Sequence, residues 1–310
     1  MQCGSATGIS TVIAAIGVLE AGLCQSCLLV YSSSASTAGV LVGQGADGPG
    51  RTLWGTYGFY APASIAAGMA QRYRYLYGLT DRQLGSVAVT LREYANQRPD
   101  AVMYNKKLTI EDYLNSPYIV EPLRVRDCCL VNDGAVALII TSKERAKNLK
   151  KRPVYVMGCG IDHSMREIYT SRKAIHHWDG IQVKDARDQA FKTAGITLKD
   201  IDVGMIYDAF TIFLLSALEG YGICGKGEAG AFVEAGNLKL DGEFPCNTSG
   251  TELSWSYLQG FTNLVEGIRQ LRGESGACQV KDAEICLVTG SGGSVEPAYG
   301  SMSTCCVLRR

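Results

Sequence analysis

The stretch SGTELSWSYLQG, residues 249–260, ends in a tyrosine followed closely by a glycine and leads directly into an amphipathic segment. Apolar residues recur at helical spacing after Gly260, and a helix is predicted to end at Gly273. A short apolar strand and a glycine-rich loop follow at residues 285–293. The segment is therefore predicted to form a loop, a helix, a strand and a glycine loop, with the helix beginning beside Tyr257.

The same order of elements occurs at the start of the chain. Ser5 precedes Gly8 by the same number of residues that separates Tyr257 from Gly260, and a helical segment again ends in glycine, at Gly22, before an apolar strand. We interpret this as an internal duplication. If the two units pack about a pseudo-two-fold axis, both helix N-termini point at one spot, where their free N–H groups and dipoles suit a developing anion. Two unrelated units of an α/β protein are the alternative.

Composition restricts the class of protein. A chain of 310 residues with 36 glycines and 46% hydrophobic residues is typical of a compact α/β enzyme. Its 30 basic residues balance its 30 acidic residues, so the net charge does not favour nucleic acid or an anionic membrane as a partner. The longest apolar run is interrupted by glycines and is too short to cross a bilayer.

The 12 cysteines are scattered and often lie in apolar segments. This pattern favours buried thiols in a reducing compartment, and a cytoplasmic protein is predicted. Cys24 and Cys27 have the spacing of a redox motif or of half a zinc site, but no second pair completes a site. No metal is predicted.

The chain is predicted to form two halves, residues 1–150 and 151–310, with a mostly helical lobe at 46–119 inserted in the first. Met1 stands only a few residues before the first loop and helix, where a strand normally precedes the turn. A strand-helix region is therefore expected to be missing from the beginning of this sequence.

Two further segments carry local signals. Apolar residues on both sides of Asn132-Asp133-Gly134 favour an antiparallel strand pair or a tight turn. After an apolar strand at 201–206, the segment Tyr207-Asp208-Ala209-Phe210 is predicted to begin a long apolar helix that continues through Leu218.

A polar loop in the second half is rich in basic residues. Its histidines and cations are His163, Arg166, Arg172, Lys173, His176 and His177. They favour either a solvated loop or a basic rim that contacts a phosphate-bearing ligand.

The joint order of several motifs resembles the thiolase superfamily, specifically its sterol-carrier-protein-type (lipid-transfer-protein) branch. The motifs are Ser5-x-x-Gly8, Asp133-Gly134-Ala135, Tyr207-Asp208-Ala209-Phe210, Gly227-Glu228, Pro245-x-Asn247-x-x-Gly250 and Gln270-Leu271-Arg272-Gly273. The resemblance covers essentially the whole chain. It implies an α/β thiolase fold with αβαβα layers, two duplicated halves, a helical lobe, coenzyme A thioester substrates and a homodimer.

The departures from the family pattern bear on the chemistry. Ser5 stands where thiolases have a nucleophilic cysteine, Tyr207 where the sterol-carrier type has the histidine of His-Asp-Cys-Phe, and Tyr257 where thiolases have the histidine of Gly-His-Pro. A serine without a positioned base is a weak nucleophile. These exchanges instead resemble the thiolase-like aldolases of steroid side-chain degradation, which cleave a β-hydroxyacyl-CoA by a retro-aldol reaction without a covalent intermediate.

This resemblance implies roles for individual residues. Tyr207 and Tyr257 are expected to share the acid and base roles, with neither role assigned, although a wall of the binding pocket is the alternative for either ring. Ser5 and the backbone N–H groups near Gly290 and Gly292 are candidates to hold the enolate oxygen. The glycines expected to contact the coenzyme A thioester are Gly250, Gly290, Gly292 and Gly293.

Two other functions stay open at this stage. One is a true thiolase, an acyltransferase that would use Cys3 as its nucleophile. The other is a non-catalytic subunit that binds acyl-CoA or lipid. Relatives of the aldolase type also work with a small partner that carries a zinc ribbon and an oligonucleotide/oligosaccharide-binding barrel, so a hetero-oligomer is expected by resemblance. The acyl group of the substrate is left open.

Overall fold

The computed structural model describes residues 6–39, 62–164, 183–291 and 301–310. Helices and strands alternate over most of this part of the chain. In chain order they are α1 (Thr7–Glu20), β1 (Ser26–Ser34), α2 (Pro62–Tyr77), α3 (Asp81–Ala95), α4 (Ile110–Leu114), β2 (Tyr118–Val120), β3 (Leu123–Arg124), β4 (Asp133–Thr141), α5 (Lys143–Ala146), β5 (Tyr155–Ser164), α6 (Lys184–Ala194), β6 (Val203–Met205), α7 (Thr211–Tyr221), α8 (Ala229–Glu234), α9 (Phe261–Arg272), β7 (Ile285–Ser291) and β8 (Ser301–Arg309).

Two sheets frame the molecule. β1 pairs antiparallel with β4, from Ser26 opposite Thr141 to Ser34 opposite Asp133. The second sheet has the order β5-β8-β7-β6, in which β8 is antiparallel to both neighbours and β6 is parallel to β7. The outer strand β5 therefore pairs with β8, which is the last strand in the chain.

The helices α1 and α9 lie between the two sheets. Apolar side chains of both helices share one core with alternate residues of β7 and β8, among them Cys286, Val288, Cys306 and Leu308. The intervening residues of these strands face the opposite side, where they pack with α6 and α7. This alternation follows from the two-residue repeat of a β-strand. The described residues thus form successive helix, sheet, helix and sheet layers.

The predicted helical lobe is present from residue 62 onward. Its helices α2, α3 and α4 bury Ala66, Leu84, Leu91 and Tyr113 against α7 in a shared core. Thr80 caps α3 by accepting a hydrogen bond from the backbone N–H of Gln83 at 3.2 Å, as its position before the apolar repeat predicts. Residues 46–61 of the predicted lobe lie outside the described residues.

Three predicted elements were wrong in part. Residues 127–131 do not form a hairpin with β4, which pairs with β1 instead. The helix expected to begin at Tyr207 begins at Thr211, because Phe210 has an extended backbone (φ −140°, ψ 147°) and bridges to Cys128. Thr289 and Gly290 continue β7 and are not part of a loop, since β8 pairs with β7 as far as Ser291.

The two similar units meet at the beginnings of their helices. A Cβ atom on Gly8, in α1, would lie 3.1 Å from the carbonyl carbon of Gly260, at the start of α9. Both helices end at a glycine with positive φ, Gly22 at 70° and Gly273 at 75°, and both lead into a strand. The similar order of elements in the two units predicts this meeting of the helix N-termini. The division into halves at residue 150 stays a prediction.

The contact between β5 and α6 leaves no room for a side chain on the strand. A Cβ on Gly160 would lie 1.8 Å from the carbonyl oxygen of Ala186. Gly160→Ala is therefore expected to lower the free energy of unfolding by about 1–3 kcal/mol or more, because the helix must move from the sheet. Gly17→Ala, inside α1 with no atom within 4 Å of the new methyl, is the matched control. It should raise stability by roughly 0.5–1 kcal/mol. Equal effects in urea unfolding would contradict this packing.

Among the described residues, none of the helices is long and apolar enough to cross a membrane.

Candidate active site

Two tyrosines that are 50 positions apart in the sequence meet beside the core that α7 shares with the helical lobe. The hydroxyl oxygens of Tyr207 and Tyr257 lie 3.4 Å apart. Tyr207 follows β6 and is 2% exposed, whereas Tyr257 precedes α9 and is half-buried. The structure thus brings together the two phenols that the sequence analysis singled out, and Tyr257 is the more accessible of the two.

Asparagine side chains hold the backbone on the Tyr207 side. The backbone N–H of Ile206 donates to Asn247 Oδ1 at 2.7 Å, and Asn247 Nδ2 donates to the Ile206 carbonyl at 2.8 Å. Asn263 Nδ2 donates to the same carbonyl at 3.1 Å, and the N–H of Tyr207 donates to Thr289 Oγ1 at 3.0 Å. The N–H and carbonyl groups of Ile206 and the N–H group of Tyr207 are therefore all held by side-chain hydrogen bonds.

A third asparagine fixes Tyr257. Asn132 Oδ1 accepts a hydrogen bond from the backbone N–H of Tyr257 at 2.8 Å, and Asn132 Nδ2 donates to Ser256 Oγ at 2.9 Å. The sequence alone favours a turn or strand pair at Asn132 and does not predict this contact with Tyr257. Asn132 precedes Asp133-Gly134, a sequence that is typical of a hairpin turn. Only the tertiary structure shows that its side chain binds the backbone of Tyr257 instead.

The segment before Tyr257 has unusual backbone geometry. Residues Thr251–Trp255 form a π-helical turn, where a loop was expected. Positive φ angles occur at Asn247 (53°), Thr251 (30°) and Gln259 (53°), although none of these is glycine. Strained backbone and π-turns cost free energy and persist only where surrounding contacts hold them. They are frequent at functional sites. This geometry supports a functional role for the segment.

Two buried carboxyl groups lie behind the tyrosines. Asp208 accepts hydrogen bonds from the backbone N–H groups of Glu252 and Leu253, both at 3.2 Å. Glu252 Oε1 accepts one from the N–H of Gly260 at 2.7 Å. Burial raises the pKa of Asp208 to about 7. Burial, followed by the nearby charge of Asp208, raises the pKa of Glu252 well above its ordinary value.

The sequence alone does not predict either carboxyl group as a member of the site. Asp208 belongs to one of the quoted motifs, and Glu252 is the one acidic residue of the opening stretch 249–260. An acidic residue in an otherwise small and apolar segment was the available signal. Both side chains are fully buried, and acidic residues are almost never fully buried unless they are paired.

The predicted glycine contacts have structural explanations where they are described. Gly250, with φ 81°, packs on α3, where a Cβ would lie 2.4 Å from the Leu91 carbonyl oxygen. Gly290 pairs with Thr304 within the sheet. His163 lies in β5, with its backbone opposite Met302. The predictions for Ser5, Cys3, Gly292, Gly293 and the rest of the basic loop lie outside the described residues.

Comparison with known proteins identifies the family. Residues 169–304 match the model of the thiolase C-terminal domain-like family. The chain is 40% identical over 242 residues to the 17-hydroxy-3-oxo-4-pregnene-20-carboxyl-CoA lyase of Mycobacterium tuberculosis, a match that covers 76% of this chain and 61% of that protein. It is 35% identical over 300 residues to the steroid side-chain-cleaving aldolase of Thermomonospora curvata, covering 94% of this chain and 75% of the relative.

A solved structure shows the same fold. The Ltp2-ChsH2(DUF35) aldolase superposes on 99% of this chain and 78% of that chain with a TM-score of 0.87 and 31% sequence identity. The chain therefore belongs to the thiolase superfamily. The predicted α/β thiolase fold is confirmed, and so is the resemblance to the aldolase-type members, since the named relatives are aldolases or lyases. The match spans 61% of the length of the Mycobacterium relative.

Proposed function

We propose that this chain cleaves a β-hydroxyacyl-CoA by a retro-aldol reaction that involves no covalent acyl-enzyme. The observation that carries the proposal is the 3.4 Å separation of the Tyr207 and Tyr257 hydroxyls. Two phenols in contact can take a proton from one atom of a substrate and return one to another. The named relatives, an acyl-CoA lyase and a steroid side-chain-cleaving aldolase, support the same class of reaction.

The reaction needs only proton transfer and stabilisation of charge. A base takes the proton of the β-hydroxyl group, the Cα–Cβ bond breaks, and its electron pair forms the enolate of the shortened thioester. The same proton, returned by an acid, then protonates Cα, so that a carbonyl compound and a shortened acyl-CoA leave. The meeting of the α1 and α9 N-termini at Gly8 and Gly260 supplies positive dipole ends that favour the enolate.

Cys129, a described thiol that interacts with Asp208 and Glu252, is unsuited to nucleophilic catalysis. Burial, followed by the charge of Glu252, raises the pKa of Cys129 well above its ordinary value, so Cys129 stays a neutral thiol. An acyl-enzyme through Cys129 is therefore disfavoured. This supports cleavage without a covalent intermediate.

The acyl group and the partners follow from the relatives. We propose a steroid-type acyl-CoA as substrate, because both named curated relatives act on steroid substrates. A small partner protein is supported by the two-component name of the Ltp2-ChsH2(DUF35) aldolase. We further propose a homodimer in the cytoplasm; the described cysteines are free thiols, which fits a reducing compartment.

A parallel assay tests the proposed reaction. The full-length protein, with its partner, is incubated with a steroid-type β-hydroxyacyl-CoA and with the matching β-ketoacyl-CoA plus free coenzyme A. We expect a ketone or aldehyde and a shortened acyl-CoA from the first substrate only. Thiolysis of the second would favour the acyltransferase, and binding of coenzyme A without turnover of either would favour a non-catalytic subunit.

A further inference from the structure

We propose that Glu252 is the positioning residue that receives the substrate proton, through Tyr257 and Tyr207, and later returns it. The proposal rests on the retro-aldol function and deepens it by naming where the proton is held during bond cleavage. Glu252 is fully buried and interacts with Tyr207, so in this proposal it acts through the tyrosine pair.

The carboxyl group of Glu252 is placed to exchange a proton with Tyr207. It is fully buried, and Oε1 is occupied by the N–H of Gly260 at 2.7 Å. Among the described residues, no group donates a hydrogen bond to Oε2. The Tyr207 hydroxyl interacts with the carboxyl group, and this interaction counteracts the rise in the pKa of Glu252. A buried carboxyl group that has one oxygen without a donor and interacts with a phenol can accept the phenol's proton.

The three groups form a path from the accessible side of the site to the interior. Tyr257 is half-buried, Tyr207 is 2% exposed and Glu252 is 0% exposed. The 3.4 Å between the hydroxyls is long for an O–H···O hydrogen bond, which is roughly 2.5–3.0 Å. Catalytic hydrogen bonds are commonly long before a substrate binds. The exposures therefore assign Tyr257 to the substrate and Tyr207 to the second position.

This arrangement avoids the weakness of a phenol as a base. A free tyrosine hydroxyl titrates near about 10, so few phenolates exist at neutral pH. In the relay the β-hydroxyl proton passes to Tyr257, the Tyr257 proton passes to Tyr207, and the Tyr207 proton passes to the Glu252 carboxylate. The Cα–Cβ bond breaks as this occurs. The proton then returns along the same hydroxyls to Cα, so no phenolate persists and no other reactant is consumed.

The surroundings of Glu252 raise its proton affinity above that of an ordinary carboxyl group. Asp208, Tyr207, Cys129 and Tyr31 are the titratable groups whose interactions with it the structure shows. Burial and Asp208 favour its protonated form, whereas the Gly260 N–H at the start of α9 favours the carboxylate. Only the carboxylate can accept a proton. Activity should therefore decline as pH falls through the pKa of Glu252 in the folded protein.

Steady-state kinetics across pH test the relay. Glu252→Gln keeps the shape of the side chain and an acceptor for the Gly260 N–H, but it cannot take up a proton. We expect kcat to fall roughly 100-fold, KM to stay within about threefold, and the decline of kcat at low pH to disappear. Unchanged kcat with the wild-type pH profile would overturn the relay.

A matched variant controls for general effects. Glu219 is also a buried glutamate that accepts a hydrogen bond from a tyrosine hydroxyl, that of Tyr73, but it lies in α7 on the lobe side. Glu219→Gln should leave kcat and its pH profile unchanged. Should Glu252→Gln fail to fold, Tyr207→Phe cuts the same path and leaves Glu252 intact. A wild-type rate in Tyr207→Phe would equally overturn the relay.

A readout without turnover separates this inference from the proposed function. Infrared difference spectra between acid and alkaline pH should contain a carboxylic C=O band that disappears in Glu252→Gln and shifts in Tyr207→Phe. A wild-type protein that shows this band but does not cleave β-hydroxyacyl-CoA would refute the retro-aldol function alone. A protein that cleaves the substrate but has no band dependent on Glu252 would refute the relay alone.

Discussion

Tyr257→Phe is expected to lower kcat for cleavage of the β-hydroxyacyl-CoA by roughly 10²–10⁴-fold, the usual contribution of a positioned acid or base. The change removes one oxygen and keeps the ring. The backbone contact to Asn132, at 2.8 Å, does not depend on the hydroxyl group. Tyr257 is the more exposed tyrosine of the pair, so in the proposed relay its loss interrupts the first proton transfer.

Single-turnover kinetics with a saturating substrate measure this effect apart from binding. Tyr75→Phe is the control, because Tyr75 is 81% exposed on α2 and should retain the wild-type kcat. A Tyr257→Phe protein that cleaves at more than half the wild-type rate would show that the ring serves only as a wall of the pocket. That outcome corresponds to the alternative weighed for each tyrosine from the sequence.

Arg98→Met is expected to lower the free energy of unfolding by about 3–5 kcal/mol, the usual cost of an uncompensated buried charge. Arg98 Nη1 lies 2.7 Å from Glu266 Oε2, with the two side chains 7% and 0% exposed. Thr248 and Gln270 donate hydrogen bonds to Glu266 Oε1, so Glu266 cannot turn toward solvent. The guanidinium also stacks on Trp255 at 4.8 Å, which ties this pair to the π-turn.

Urea unfolding at several pH values tests this expectation. Burial raises the pKa of Glu266, and Arg98 counteracts that rise. Without Arg98 the pKa of Glu266 rises further, so the loss of stability is largest at neutral pH and shrinks as acid protonates Glu266. Lys151→Met breaks the pair with Glu274, in which Lys151 is 67% exposed, and should cost under about 1 kcal/mol. Equal losses in both variants, or no dependence on pH, would contradict a buried ion pair.

The elements that sequence predicts well are those with local signals. α9 ends at Gly273 and α1 is followed by Gly22 because a left-handed glycine terminates a helix at little steric cost. The pairing of Tyr207 with Tyr257 was predicted from family resemblance, since the two residues are 50 positions apart and no local rule connects them.

The features that sequence does not predict depend on distant contacts. The π-turn is held by hydrogen bonds from Val102 N–H to the Trp255 carbonyl and from Leu130 N–H to the Glu252 carbonyl. Neither donor lies near the turn in the sequence. The burial of Glu252 likewise depends on tertiary contacts. From the sequence alone, an acidic residue is expected to be solvated. A prediction from local pattern therefore favoured a loop.

The position of β8 has a consequence for synthesis of the protein. Arg309 pairs with Tyr155 and with Ile285, so β5 cannot pair with β8 until about 150 more residues have been synthesised. At translation rates of roughly 5–20 residues per second, this interval lasts on the order of 8–30 s. During that time the nascent chain carries strand edges with open backbone groups and cysteine-rich apolar faces, which invite association with other chains. A chaperone that shields nascent β-strands should therefore raise the soluble yield of this protein.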